Sequence, residues 1–232
     1  MASRFLQYGV ALLLVHALAG CSSENPPPSA EKQASEGRAP SAVEDDRPIV
    51  VAFGDSLFAG YQLGQSQGFS SVLEGALAKL DQDVRLVNGA VSGDTSAAGL
   101  QRLGFMLDGL PRKPALVIVE LGGNDMLRGL SPDQTRANLE AILAELRRRE
   151  IPAMLVGMVA ASNLGPDYAK AFNSIYPDLA AKYDVPLYPF VLEGVVTQPS
   201  LMLGDGIHPN PKGVEAMVSR IAPVVDKALE RQ

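Results

Sequence analysis

From residue 48 onward the chain alternates short, mainly apolar runs with longer stretches whose apolar residues recur at helical spacing. The clearest short run is Ala115-Leu116-Val117-Ile118-Val119-Glu120. A strand with one face in water would alternate apolar and polar residues. These runs do not, so both faces need cover. Strands are predicted at 48–53, 84–88, 115–120, 153–157 and 185–188, with helices at 69–80, 95–107, 132–149, 167–183 and 211–230. Such alternation dictates an α/β fold, a parallel sheet between two helix layers. Pro132 suits a first helical turn and Gly109 the end of a helix. The fourth helix should break near Pro177, and Pro223 should kink or split the last. The pattern contains no internal repeat and no second domain.

In open parallel sheets, ligands bind beyond the carboxyl ends of the strands. The chemically suggestive segments fall there. Gly54-Asp55-Ser56-Leu57 follows the first strand, Ser92-Gly93-Asp94-Thr95 the second and Gly122-Gly123-Asn124-Asp125 the third. A late loop, Gly204-Asp205-Gly206-Ile207-His208-Pro209, can return over the same edge. A serine hydroxyl is a weak nucleophile and needs a base within hydrogen-bond reach. After the first twenty residues the chain holds one histidine, His208. Asp205, three residues earlier, is placed to orient it. The Ser56 and Gly93 N–H groups and the Asn124 side-chain amide are candidate oxyanion donors, glycine allowing close approach because it has no Cβ.

Each residue also has a plainer reading. Ser56 alone can cap a helix, and His208 alone can be a hydrogen-bonded loop residue. Asp55, Asp94 and Asp125 rival Asp205, but their places at strand-to-helix turns read as braces. Gly93 and Asn124 can be turn residues. Ser92 and Ser96 have no partner argument. Phe58, Tyr61, Met126, Leu127, Met202 and Leu203 are candidates for an acyl pocket, with core packing as the alternative.

Taken together, Gly54-Asp55-Ser56-Leu57, Ser92-Gly93-Asp94-Thr95, Gly122-Gly123-Asn124-Asp125 and Asp205-x-x-His208 resemble the SGNH (GDSL) hydrolase family. Within it, Glu120-Leu121-Gly122-Gly123-Asn124-Asp125-Met126-Leu127-Arg128-Gly129 and Asp205-Gly206-Ile207-His208-Pro209-Asn210 are most similar to the bacterial arylesterase and thioesterase I/lysophospholipase group. The resemblance spans 48–232. It implies a flavodoxin-like three-layer sandwich and hydrolysis of carboxylic esters and thioesters without metal or cofactor. Two other readings stand beside it: a carbohydrate O-acetylesterase of the cell envelope and a non-catalytic lipid-binding lipoprotein.

Residues 1–20 read as a secretory signal: Arg4 precedes an apolar run, 10–18, too short to span a bilayer. The run ends Leu18-Ala19-Gly20-Cys21, which resembles the bacterial lipobox, in which the cysteine is lipidated. Ser22 rather than aspartate follows, so the resemblance implies an outer-membrane anchor facing the periplasm. Residues 21–47, rich in Pro, Ser, Ala and acidic residues, read as a disordered tether. The net charge of −6 and the lack of any basic block argue against nucleic acid and against electrostatic attraction to anionic lipid, leaving the anchor as the membrane contact. A single cysteine excludes an internal disulfide and leaves too few soft ligands for structural zinc. Nothing marks a subunit interface, so a monomer is expected.

Overall fold

The computed structural model describes residues 45–231. The predicted signal at 1–20, Cys21 and the tether up to residue 44 lie outside the described residues.

Five parallel strands form one sheet: β1 (Ile49–Gly54), β2 (Arg85–Asn88), β3 (Leu116–Glu120), β4 (Ala153–Val156) and β5 (Leu187–Tyr188), in the order β2-β1-β3-β4-β5. That is the flavodoxin-like order. Every residue of β1, β3 and β4 is buried, as runs without alternation require. On one face α2 (Phe69–Ala78) packs against α8 (Pro211–Glu230). On the other, α3 (Ser96–Asp108) packs on α5 (Pro132–Arg148), which also meets α6 (Pro166–Asn173) and α7 (Ile175–Tyr183). Right-handed crossovers oblige this division: the β1-to-β2 step and the steps from β2 to β5 run in opposite directions across the sheet. The reversal beside β1 opens a crevice at its carboxyl end.

Three differences from the sequence expectations have physical causes. The break expected near Pro177 falls at Ser174, three residues earlier. Pro177 then falls in the first turn of α7, where its missing N–H leaves no helical bond unmade. The last helix runs unbroken through Pro223. That residue is exposed, so the carbonyl it orphans can reach water, while Val214, Met217, Ile221 and Val225 hold the inner face. Residues 45–47, assigned to the tether, are tied to the domain: Arg47 donates to the Asp45 carboxylate at 2.8 Å, to Glu74 at 3.2 Å and to the Val84 carbonyl at 3.1 Å. Composition hid this, because the attachment is ionic rather than apolar.

Candidate active site

β1 ends at Gly54, and the chain turns at once into a four-residue helix, α1 (Ser56–Ala59). The Asp55 carboxylate caps it, accepting from the Leu57 N–H at 3.1 Å. The turn lifts the half-buried Ser56 to the sheet edge. There Ser56 Oγ lies 2.9 Å from His208 Nε2, and His208 Nδ1 lies 2.7 Å from Asp205 Oδ2. Asp205 Oδ1 also accepts from the N–H groups of Ile207 and His208, at 2.9 and 3.0 Å. The His208 backbone and ring, and then the Ile207 N–H, hold the Asp205 carboxyl down to about 2. An ionised carboxylate only accepts, so it fixes the proton on Nδ1 and leaves Nε2 free to take the Ser56 proton.

The loop that carries His208 is itself clamped. Met202 and Pro209 form an antiparallel bridge. Asn210 caps α8 through the Gly213 N–H at 3.1 Å and donates to the Ser200 and Met202 carbonyls at 2.8 and 3.2 Å. One residue thus starts the last helix and closes the loop that carries His208.

The other two segments complete the edge. Gly93 has φ 86°, a left-handed turn that glycine adopts without strain, and Arg128 donates to its carbonyl at 2.8 Å. Asn124 sits in a short helix, α4 (Gly123–Leu127), entered through Gly122 at φ 115°. A Cβ on Gly122 would lie 2.3 Å from the Tyr176 hydroxyl, which donates to the Leu121 carbonyl at 2.9 Å. The next residue, Asp125, is buried and accepts from the Ser96 N–H at 2.7 Å, the Ser96 hydroxyl and the Thr135 hydroxyl. These bonds lock α4 to α3 and α5. Asn124 Nδ2 donates one hydrogen to Asp55 Oδ2 at 3.0 Å, and its second hydrogen is left for a ligand.

Residues 52–216 match the model of the GDSL-like lipase/acylhydrolase family. The chain belongs to this family. It is 37% identical over 189 residues to the arylesterase of Vibrio mimicus, covering 82% of this chain and 94% of that one. It is 39% identical over 181 residues to thioesterase 1/protease 1/lysophospholipase L1 of Escherichia coli strain K12, covering 76% and 85%. The crystal structure of AlinE4, an SGNH-hydrolase family esterase, matches with a TM-score of 0.68 and 52% identity, over 79% of this chain and 97% of that one. This GDSL hydrolase is therefore a carboxylic ester hydrolase.

In the GDSL hydrolase, Ser56, Asp205 and His208 meet as the sequence predicts, and Gly93 and Asn124 lie on turns at the same edge. Asp94 and Asp125 are braces, Asp94 pairing with Arg102. Asp55 is more than a brace, because it holds the Asn124 amide. Ser96 has partners after all, but they are structural. Of the pocket candidates, Phe58, Met126 and Met202 are core residues. Tyr61 and Leu127 are exposed at the edge, and Leu203, the residue after Met202, is half-buried. Among the described residues no cluster of His, Cys, Asp or Glu could hold a metal ion. Sequence reasoning gives Glu120, at the end of β3, no task of its own. A carboxylate closing a wholly buried apolar run was the signal that it has a task.

A cavity of about 420 Å³ lies at the opposite edge, lined by Leu116, Arg147, Ala153 and Tyr183 among others. None of Ser56, Asp205 and His208 lines it. The edge that carries them instead has an apolar rim. Tyr61, Val91, Leu127, Val159 and Ile207 are exposed large hydrophobics, each from a segment beyond a strand's carboxyl end or from the His208 loop.

Proposed function

We propose that Ser56 is the acyl-accepting nucleophile, His208 its general base and Asp205 the group that orients His208. The contact between Ser56 Oγ and His208 Nε2 at 2.9 Å carries this reading. Ser56 Oγ attacks the acyl carbon as its proton passes to Nε2. The Ser56 N–H, the Gly93 N–H and the free Asn124 amide hydrogen stabilise the oxyanion. The tetrahedral intermediate collapses, and His208 gives the proton to the departing alkoxide or thiolate. Water then repeats the sequence on the acyl-enzyme and restores Ser56.

The substrates are small acyl esters and thioesters, with aryl esters and lysophospholipids in range. The apolar rim favours an acyl chain over the hydroxyl-rich surface of an acetylated glycan. Export, lipidation at Cys21, a periplasm-facing anchor in the outer membrane and a monomeric state complete the reading. The first three rest on the leader, on Leu18-Ala19-Gly20-Cys21 and on Ser22; the monomeric state rests on the lack of any marked interface in the sequence.

The deciding experiment is hydrolysis of p-nitrophenyl esters from acetate to palmitate by the wild type and Ser56→Ala. The substitution should reduce kcat by on the order of 10⁶. Equal activity in both proteins would remove Ser56 as the nucleophile. Activity on acetylated sugars with none on longer esters would select the O-acetylesterase.

A further inference from the structure

One buried acid takes no part in the steps above. Glu120 closes β3 and is in register with Gly54 of β1. It is 1% exposed, and Asp55, the residue after Gly54, is 2% exposed. Their carboxyl groups are within hydrogen-bond reach of one another. Glu120 Oε2 also lies 3.4 Å from the Asp55 N–H, and Glu120 Oε1 has no hydrogen-bond partner among the described residues. Neither acid has an ion pair there. Glycine at position 54 makes the approach possible: a Cβ would lie 2.6 Å from the Glu120 carbonyl and 2.8 Å from Oε2.

A buried carboxyl with an unpartnered oxygen costs stability. An apolar residue would close the strand at less cost, unless the acid does something for its neighbour. Its neighbour is Asp55, whose two oxygens accept from the Leu57 N–H and the Asn124 amide. We propose that Glu120 is a positioning residue for ester hydrolysis, acting through Asp55 to fix the orientation of the Asn124 side-chain amide.

The physical route is short. Two buried carboxylates in contact cannot both stay ionised without a cation. Burial first, and the Asp55 charge second, push the Glu120 carboxyl well above its ordinary range. Burial pushes Asp55 up too, but bonds from the Leu57 N–H, Glu120 and the Asn124 amide oppose it, so Glu120 is the donor of the pair and Asp55 the acceptor. An Asp55 that only accepts holds Asn124 by its NH₂ group. With the amide turned over, the Asn124 carbonyl would face the developing oxyanion and repel it. The other titratable and charged groups around the pair are Tyr176 of α7, Asp125 of α4, His208 of the last loop and Arg102 of α3, whose guanidinium donates to the Gly54 carbonyl at 3.1 Å. None of them donates to Asp55 in Glu120's place.

This inference rests on Asn124 being an oxyanion donor, and a double-mutant cycle separates the two claims. Glu120→Met fills the same space without a polar group, so loss of fold is not expected. The full chain, with Glu120→Met, Glu120→Gln, Asn124→Ala and Glu120→Met/Asn124→Ala, is assayed on p-nitrophenyl butyrate with melting temperatures in parallel. Asn124→Ala should lower kcat about 10²-fold. Glu120→Met should lower kcat about tenfold or more, with KM within about twofold and no loss of melting temperature. Glu120→Gln, which keeps a donor towards Asp55, should recover most of kcat. In the Asn124→Ala background, Glu120→Met should cost less than about twofold. Full activity in Glu120→Met, or an undiminished loss in that background, overturns the role of Glu120. An Asn124→Ala variant as active as the wild type overturns instead the oxyanion assignment beneath it.

Discussion

The ring of Tyr61 lies against the ring of His208, with centroids 4.4 Å apart and a 35° tilt between the planes. Tyr61 follows α1 in the chain, so the segment that presents the serine also leans on the imidazole. The stack limits ring rotation and offers an aromatic face to the imidazolium formed when His208 takes the serine proton. Aromatic contacts of this kind contribute about 0.5–1.5 kcal/mol, which corresponds to roughly 2- to 12-fold in rate if realised in the transition state. Tyr61→Ala should lower kcat/KM on a short p-nitrophenyl ester by that range, and Tyr61→Phe should stay near wild type. A Tyr61→Phe variant as impaired as Tyr61→Ala would assign the effect to the hydroxyl and not to the ring.

Asp205 combines a side-chain bond to the imidazole with two backbone N–H bonds. Its carboxyl, held down to about 2 by these bonds, is ionised at neutral pH. Asp205→Asn can offer its NH₂ to Nδ1, which would drive the ring proton to Nε2, the wrong nitrogen for accepting from Ser56. The expected fall in kcat is on the order of 10⁴, with KM little changed. A fall below about tenfold, measured under saturating substrate, would show that another group orients His208.

Two glycines at the site should respond differently to alanine. A Cβ on Gly93 would meet only Arg128 Nη2, at 3.8 Å, so Gly93→Ala carries mainly the strain of a positive φ, about 1–2 kcal/mol. Gly122→Ala adds a collision with the Tyr176 hydroxyl and threatens its bond to the Leu121 carbonyl. Its loss should exceed about 3 kcal/mol. Urea denaturation of the two variants gives the order directly, and the reverse order would mean that α7 yields more readily than its packing suggests.

Stability should also carry the signature of Glu120. Burial holds its native carboxyl above the ordinary value of 4.5, so above that value the folded chain binds more protons than the unfolded one. Folding stability contributed by this site therefore declines as pH rises from about 4.5 towards the native titration. Glu120→Gln has no such proton to lose. Its melting temperature relative to wild type should rise steadily between about pH 4 and pH 8. A difference that stays constant over this interval would mean that Glu120 is ionised in the folded protein.

Much of this was legible before any coordinates. The three central strands are apolar on both faces, and only a covered parallel sheet accommodates such runs. The four polar segments were legible because each follows a strand end or lies late enough to return there. What stayed hidden depends on register and direction. Nothing in Glu120's neighbours along the chain says that it meets Asp55; the pairing of Gly54 with Glu120 across two strands does. Asp55 reads as a helix cap, and it is one, but its second oxygen serves a residue 69 positions away. Ser96 looked partnerless for the same reason, since Asp125 comes from a different strand end. The exact place of the break near Pro177, and the absence of a split at Pro223, depend on where a helix begins and which side faces water.

Ser56 and His208 touch across 152 residues of chain. Contacts of such long sequence separation are entropically costly to close. A chain that stopped after β5 would hold every described strand of the sheet and the serine, but neither Asp205 nor His208. On the proposed mechanism such a shortened chain carries a nucleophile with no base to activate it.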